Sequence, residues 1–482
     1  MRLPLIAASL LLTGPAAAQV AEPDRATIMA DVDRRAPTLA RTAQAIWSFA
    51  EVGYQETKSA ALLQAELKRA GFVITPGVAG MPTAFTASFK RGAGPVIGIL
   101  AEYDALPGLA QHAQTTRSPI DGQAAGHGCG HNLFGAASVT AAIAVKNWMV
   151  ANNVGGEIRL FGTPAEEGGS GKVYLVRAGL FNDVDAVLHW HPGDSNGVSV
   201  GLSQANISGK FRFKGVSAHA SAAPDKGRSA LDAVEVMNVA VNYLREHIPR
   251  TTRIHYVVTN GGEAPNVVPE FAESYYYVRH TDPQIVREVM DRVRKAAEGA
   301  AMATGTTVSF EATGGVYAML ANETLATLAD ANLRAVGGPR WSSEESAWAR
   351  DLQKGLPTQK PLDTAATVGP IHRGDGGGST DVADVSWVVP TVGFGTATWV
   401  PGTPAHSWQA VAASGHAIGF KGGVVAAKTI ALTAADLFRS PKVIADAKAE
   451  LERRRGADFT YRAMLGDRPP ALDYRKPSAP AR

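Results

Sequence analysis

The chain has one cysteine in 482 residues, so no intramolecular disulfide can hold it together. It has little net charge. Its 47 Lys and Arg against 44 Asp and Glu leave +3, and the basic residues are dispersed except near the C-terminus. Without a basic patch, nucleic acid is not a favoured partner. Internal repeats and low-complexity blocks are absent as well. Long apolar runs are missing. The N-terminal run from Leu3 to Leu12 is shorter than the ~20 residues that cross a bilayer, and no later stretch reads as long enough. A mature protein without a membrane span is therefore expected.

The N-terminus does carry a signal of its own. Arg2, the apolar run, and Ala16-Ala17-Ala18 before Gln19 have the layout of a cleavable secretory peptide over residues 1–18. A periplasmic or secreted protein is expected from it. The rest of the chain is too long for one ordinary domain, which predicts two. Apolar residues make up 45% of the chain, enough for large cores, and 50 glycines with 28 prolines predict many turns.

Apolar spacing predicts helices over 26–50 and 56–70, with Gly71 as a stop. Residues 85–89, 96–101 and 156–162 read as strands, and 134–150 as an Ala-rich helix. A further strand, 186–188, ends on His189-Trp190-His191. This alternation predicts an α/β domain with a mostly parallel sheet, whose chemistry sits beyond the carboxyl ends of its strands. The pattern changes near residue 205. Strands over 207–213, 253–258, 272–279 and 306–312 interleave with helices over 231–246 and 283–302. That β-α-β-β-α-β order predicts an inserted ferredoxin-like α+β domain. The expected division is 19–205 and 317–440 for the larger domain, 206–316 for the insert, and 441–482 for a tail. The tail's basic stretch, 443–455, reads as a helix whose charges form a solvated face rather than a binding patch, followed by an extended Pro-rich segment.

The lone Cys129 lies in Gly126-His127-Gly128-Cys129-Gly130-His131-Asn132. Thiolate and neutral imidazole are first-choice ligands for zinc and related ions, and the glycines allow the sharp turn that aims both at one ion. The alternative is a small buried hydrophobe; the crowding of His127, Cys129 and His131 favours a metal. Glu166-Glu167 follow a strand in a loop almost without bulk, Thr163-Pro164-Ala165 before them and Gly168-Gly169-Ser170-Gly171 after. One carboxylate can bind a metal while its neighbour handles a proton. His189 or His191, His219 and His406 complete the candidates. A metal-held thiolate should resist oxidation better than the same residue without metal.

Asp104-Ala105-Leu106-Pro107, Cys129-Gly130-His131, Pro164 to Gly169 and His406-Ser407 occur in the order found in the M20 metallopeptidases and amidohydrolases, which this chain resembles over nearly its whole mature length. Asn132-Leu133-Phe134, His191-Pro192 and Ser379-Thr380-Asp381-Val382 most resemble the aminobenzoyl-glutamate hydrolase branch. The resemblance implies a two-metal centre of Zn²⁺ or Mn²⁺ held by Cys129, His131, Glu167, His191 and His406, with His189 as the rival to His191. It implies Glu166 as general base, Asp104 as the orienting carboxylate and His127 beside the ligands. In the insert, His219 would reach a partner subunit's site and stabilise the oxyanion, while Asn266 and Arg279 would hold a substrate carboxylate. Glu102 stands where aminopeptidase-like branches have a histidine ligand, so their ligand set does not transfer unchanged. A homodimer through the insert, or a hetero-oligomer with a homologous subunit, is implied too.

The expected activity is hydrolysis of a linear amide in an N-acyl amino acid, an aminobenzoyl-glutamate-like compound or a small peptide. The alternative is a metal-dependent binding protein that keeps the fold without catalysis. The Glu166-Glu167 pair argues against it, since a binder needs no base beside a ligand. A serine hydrolase is disfavoured because Ser170 lacks a Gly-x-Ser-x-Gly elbow.

Overall fold

A computed structural model describes residues 20–374 and 377–476. The expected signal over 1–18 lies outside the described residues. The larger unit is built on a seven-stranded mixed sheet. Its four central strands, Gly156–Gly162, Val96–Ala101, Ala186–Gly193 and Thr391–Ala397, run parallel. Their near-continuous apolar runs are buried, as strands covered on both faces require. Antiparallel strands finish the sheet: Val73–Pro76 and Phe85–Arg91 on one side, the two-residue Gly197–Val198 on the other.

Helices Glu22–Phe49, His131–Ala151 and Ala417–Arg439 pack on one another against this sheet. The last two correct the reading that no later stretch is apolar enough to span a membrane. Both have the length and composition to do so. They are core helices instead, with 83% and 72% of their most apolar windows buried inside the protein.

The inserted unit has the expected β-α-β-β-α-β order. Strands Ala205–Lys214, Arg253–Asn260, Phe271–His280 and Thr307–Val316 form an antiparallel sheet. Helices Ala230–Leu244 and Pro283–Thr304 cover one face with a separate core around Phe211, Phe213, Met237, Tyr276 and Met290. The other face, carrying Lys210, Arg212 and Tyr275, bounds a cavity shared with Gly168 and Gly169 of the larger unit.

Two expectations change. The strand at 186 runs on through Gly193, so His189 and His191 lie within it rather than beyond its end. In the tail, the charges of helix Pro441–Arg455 lie mostly on an exposed face, as expected, but the segment after it is packed rather than extended. In helix Pro441–Arg455, Glu450 accepts the backbone N–H groups of Glu323 and Thr324, and Arg455 donates to the Trp387 carbonyl. The segment after it folds back over both units.

Candidate metal centre

Four pieces of backbone bring the site together. Gly130 has φ +73°, and a Cβ there would press on Pro192, so only glycine makes this turn without strain. His131 follows as the first residue of its helix. Glu166 and Glu167 sit on the loop after strand Gly156–Gly162, where Ala165 and Ser170 both take left-handed φ of 58°. His406 has φ 58° as well, and its N–H binds the Gly128 carbonyl at 3.0 Å, tying its loop to the cysteine turn. Left-handed backbone at non-glycine residues costs energy and gathers where side chains must be aimed.

Cys129, His131 and His191 form one group of donor atoms within 4.8 Å of one another. Cys129, Glu167 and His406 form a second, and His131, Glu166 and Glu167 a third. Cys129 Sγ lies 3.2 Å from His406 Nε2, and Glu167 Oε1 3.6 Å from the same nitrogen. Asp104 fixes two of these residues at once. Its Oδ1 meets His131 Nδ1 at 2.9 Å and its Oδ2 accepts the Glu167 N–H at 2.9 Å. With Nδ1 held by a carboxylate, as is usual for a ligating histidine, Nε2 of His131 is the nitrogen left to ligate, and it faces Glu102 Oε2 at 3.0 Å.

The donor types in the cluster suit cations. Glu167 Oε1 is buried and makes no hydrogen bond, and His131 Nε2 meets Glu102 Oε2 in a buried pair at 3.0 Å. Thiol, imidazole and carboxylate together suit a borderline-soft divalent ion. Burial lowers His191 and His189 to about 4, so both are neutral and able to donate a lone pair. Burial opposes a charge on His131 too, but Glu102 and Asp104 overcome it and raise its pKa well above the usual range. Burial, then Glu102, Glu167 and Asp381, raise Glu166.

Burial also raises the Cys129 thiol, which is 8% exposed. Without metal it is a protonated, shielded and slow nucleophile. His127 is buried, bonded through Nε2 to the Ile46 carbonyl, and lowered by burial to about 3.

The residues of the insert sit apart from this cluster within one chain. His219 is exposed, and its Nδ1 accepts the N–H groups of Ser221 and Ala222 at 3.2 and 3.0 Å. Asn266 joins the same loop pair, its carbonyl accepting the Ala220 N–H. Arg279 lies mid-sheet against Tyr277, 5.1 Å from the ring centre, with Nε buried and unpartnered.

Several participants were invisible in the sequence. Lys172 is fully buried, 2.6 Å from Glu102 Oε1 and 2.7 Å from Asp381 Oδ1. The opposite Glu102 oxygen lies 3.0 Å from His131 Nε2. Glu56 accepts the Ala165 N–H at 2.8 Å and so holds the strained residue before the glutamate pair. Lys172 comes five residues after Glu167, but nothing in the pattern marks that helix position as buried. Beside His191, Val200, Met319, Ala321 and Phe394 wall a cavity of about 200 Å³, which His189 also lines.

A peptidase dimerisation domain model matches residues 203–304, the inserted unit. One subunit of the p-aminobenzoyl-glutamate hydrolase of Escherichia coli (strain K12) is 41% identical over 439 residues, covering 85% of this chain and 90% of that protein. The Xaa-Arg dipeptidase of Mus musculus is 29% identical, covering 87% of this chain and 90% of that protein. Two crystal structures share the fold at 19% identity: the YXEP protein of Bacillus subtilis, described as a dinuclear metal binding peptidase from the M20 family, and an aminobenzoyl-glutamate utilization protein from Klebsiella pneumoniae. Their TM-scores are 0.58 and 0.57. They cover 85% and 83% of this chain, and 99% and 96% of their own. The chain belongs to the M20 family of metallopeptidases and amidohydrolases. It is a hydrolase of that family, built on the α/β fold with a dimerisation domain.

Proposed function

We propose that this protein hydrolyses the amide bond of a small carboxylate-bearing compound, an aminobenzoyl-glutamate-like amide first, an N-acyl amino acid or small peptide otherwise. The observation that carries this reading is the convergence of Cys129, His131, Glu166, Glu167, His191 and His406 in three overlapping donor groups. The 41% identity to a p-aminobenzoyl-glutamate hydrolase subunit supports the substrate class. The cavity beside His191 supports a flat acyl group, since one of roughly 150 Å³ already accepts benzene.

Two divalent ions, Zn²⁺ or Mn²⁺, would be held by Cys129, His131, Glu167, His191 and His406, and would polarise the carbonyl and make water acidic. Glu166 accepts a proton from that water as its oxygen bonds to the carbonyl carbon. It then gives the proton to the nitrogen as the C–N bond breaks. Burial, with Glu102, Glu167 and Asp381, raises Glu166 above an ordinary carboxylate, which helps it hold the proton between the two halves of the transfer. Asp104 keeps His131 and the Glu167 backbone in register. Asn266 and Arg279 take the substrate carboxylate, and His219 of a partner subunit donates to the developing oxyanion.

Glu166→Gln should retain its metal content and lose turnover by about 10²- to 10⁴-fold. Near-normal kcat in that variant would refute the assignment. Chelator-insensitive turnover would exclude metal, and metal binding with no turnover of any such amide would favour the binding-protein alternative.

Assembly through the insert is supported by its exposed apolar residues. Val236, Val239 and Tyr243 lie on helix Ala230–Leu244, and Val257 and Val258 on the edge strand. The protein is a homodimer in this reading, or pairs with a homologous subunit. The second option is supported by the Escherichia coli hydrolase, two differently named subunits of which are both similar to this chain. Light scattering on the purified chain distinguishes a dimer from a monomer awaiting a partner. Export through residues 1–18 belongs to the same proposal, and a mature N-terminus at Gln19 in the periplasm or medium is the result that bears on it.

A further inference from the structure

The segment after helix Pro441–Arg455 makes contacts with both units. Met464 enters the core of the inserted unit, and the next residue, Leu465, enters the core of the larger one. Around them, Tyr317, just past the last insert strand, and Arg287 of an insert helix donate to the Arg462 carbonyl. Arg468 donates to the Ala312 carbonyl on an insert strand. On the other side, Arg177 donates to the carbonyls of Arg468 and Asp467 at 2.7 and 3.1 Å, and Gln55 to that of Leu472 at 2.8 Å.

At residues 474 and 475 the segment reaches the glutamate loop. Tyr474 Oη and Arg475 Nη2 both donate to the Glu167 carbonyl, at 3.1 and 2.8 Å. Asp104 already holds the N–H of the same residue. The peptide groups flanking Glu167 are thus clamped from both sides. Tyr54 completes the clamp: its ring packs edge-on against Tyr474 at 5.6 Å and its hydroxyl donates to the Gly169 carbonyl at 2.8 Å. Gly53 is bare where a Cβ would overlap the Tyr474 hydroxyl.

We propose that residues 456–476 form a positioning strap: Tyr474 and Arg475 hold the Glu166-Glu167 turn by its carbonyl, and Met464 and Arg468 tie that hold to the inserted unit. Neither Tyr474 nor Arg475 touches substrate in this scheme. They set where Glu167 meets a metal and where Glu166 meets water. The inference rests on the proposed role of Glu167 as a ligand. Groups that hold ligands from outside typically change metal affinity or activity about 10- to 100-fold when removed, because a small misplacement is enough.

The test is the double variant Tyr474→Phe/Arg475→Ala in the full chain, titrated with Mn²⁺ by calorimetry after chelation and then assayed. One ion should bind about 10- to 100-fold more weakly and kcat should fall by a similar factor, with KM and the melting temperature of the metal-free protein close to those of the parent. Arg475→Lys, which keeps a donor, should recover part of both losses. Arg468→Ala should lower kcat while leaving ion affinity unchanged. Unchanged ion affinity and kcat in the double variant would overturn the strap. So would a lowered melting temperature with full kcat per loaded site, since that is a merely structural role. If the parent itself hydrolyses none of the amides, the functional reading fails, and the Mn²⁺ titration still decides the strap.

Discussion

At the residue scale, the site is a problem of buried charge. Glu102, Asp104 and Asp381 are almost wholly buried, and the fully buried Lys172 reaches two of them. Removing one partner from such a group leaves the others uncompensated, which costs about 3–5 kcal/mol. Lys172→Met should therefore lower stability by about that much in chemical denaturation, well beyond the loss expected at a solvated lysine. A change under about 1 kcal/mol would mean that Glu102 and Asp381 are neutral in the native state. Cys129, His131 and the Glu166-Glu167 pair were legible because thiol, imidazole and paired carboxylates cluster locally around glycines, whereas the choice of His191 and the role of His406 came from the family resemblance. Lys172, Glu56, Tyr474 and Arg475 were not, since lysine, glutamate, tyrosine and arginine are ordinary surface residues until a fold buries them.

At the scale of elements, legibility followed amphipathicity. Strand Val96–Ala101 has the bounds expected from its apolar run, and helix Thr57–Arg69 lies within a residue of its predicted ends. Helix His131–Ala151 starts three residues before its expected beginning, inside the metal motif, because Gly130 rather than a polar cap sets the turn. Ala417–Arg439 is buried on nearly every side, so it has no polar stripe from which a period can be read. The extension of strand Ala186–Gly193 depends on its neighbour. His189 and His191 pair in parallel register with Gly393 and Gly395, and a Cβ at Gly393 would overlap the His189 ring. No local signal in 186–193 reveals that its partner strand supplies a bare position for the His189 imidazole.

For the whole molecule, the excess of buried carboxyl groups links metal to stability. Burial, then Asp104, raises Glu56 to about 8, and burial raises Asp384 to about 7 and Glu166 well above the carboxylate range. Each keeps a proton in the folded metal-free state that the unfolded chain has already lost. The folded state thus binds more protons, and stability falls as pH rises. His131, raised above 6.5 by its carboxylates against the effect of burial, adds to the same trend as it loses its charge. Below pH 6.5 the buried neutral His127, His189 and His191 act in the opposite sense, so the window is pH 6.5 to 8. Across it, Tm with chelator should fall, and the gain in Tm on adding Zn²⁺ or Mn²⁺ should grow. A metal-induced gain equal at both ends of that window would count against this account.

The sequence by itself determined the two-unit organisation, the α/β and ferredoxin-like patterns, and which side chains offer metal chemistry, because apolar period and glycine-framed motifs are local properties. Tertiary structure decided the rest. It brought Cys129 and His406 within 3.2 Å across 277 residues, enclosed Lys172 between two carboxylates, and carried Tyr474 and Arg475 to the Glu167 carbonyl. Those contacts depend on burial and on backbone acceptors far away in the chain, and neither leaves a pattern in neighbouring residues.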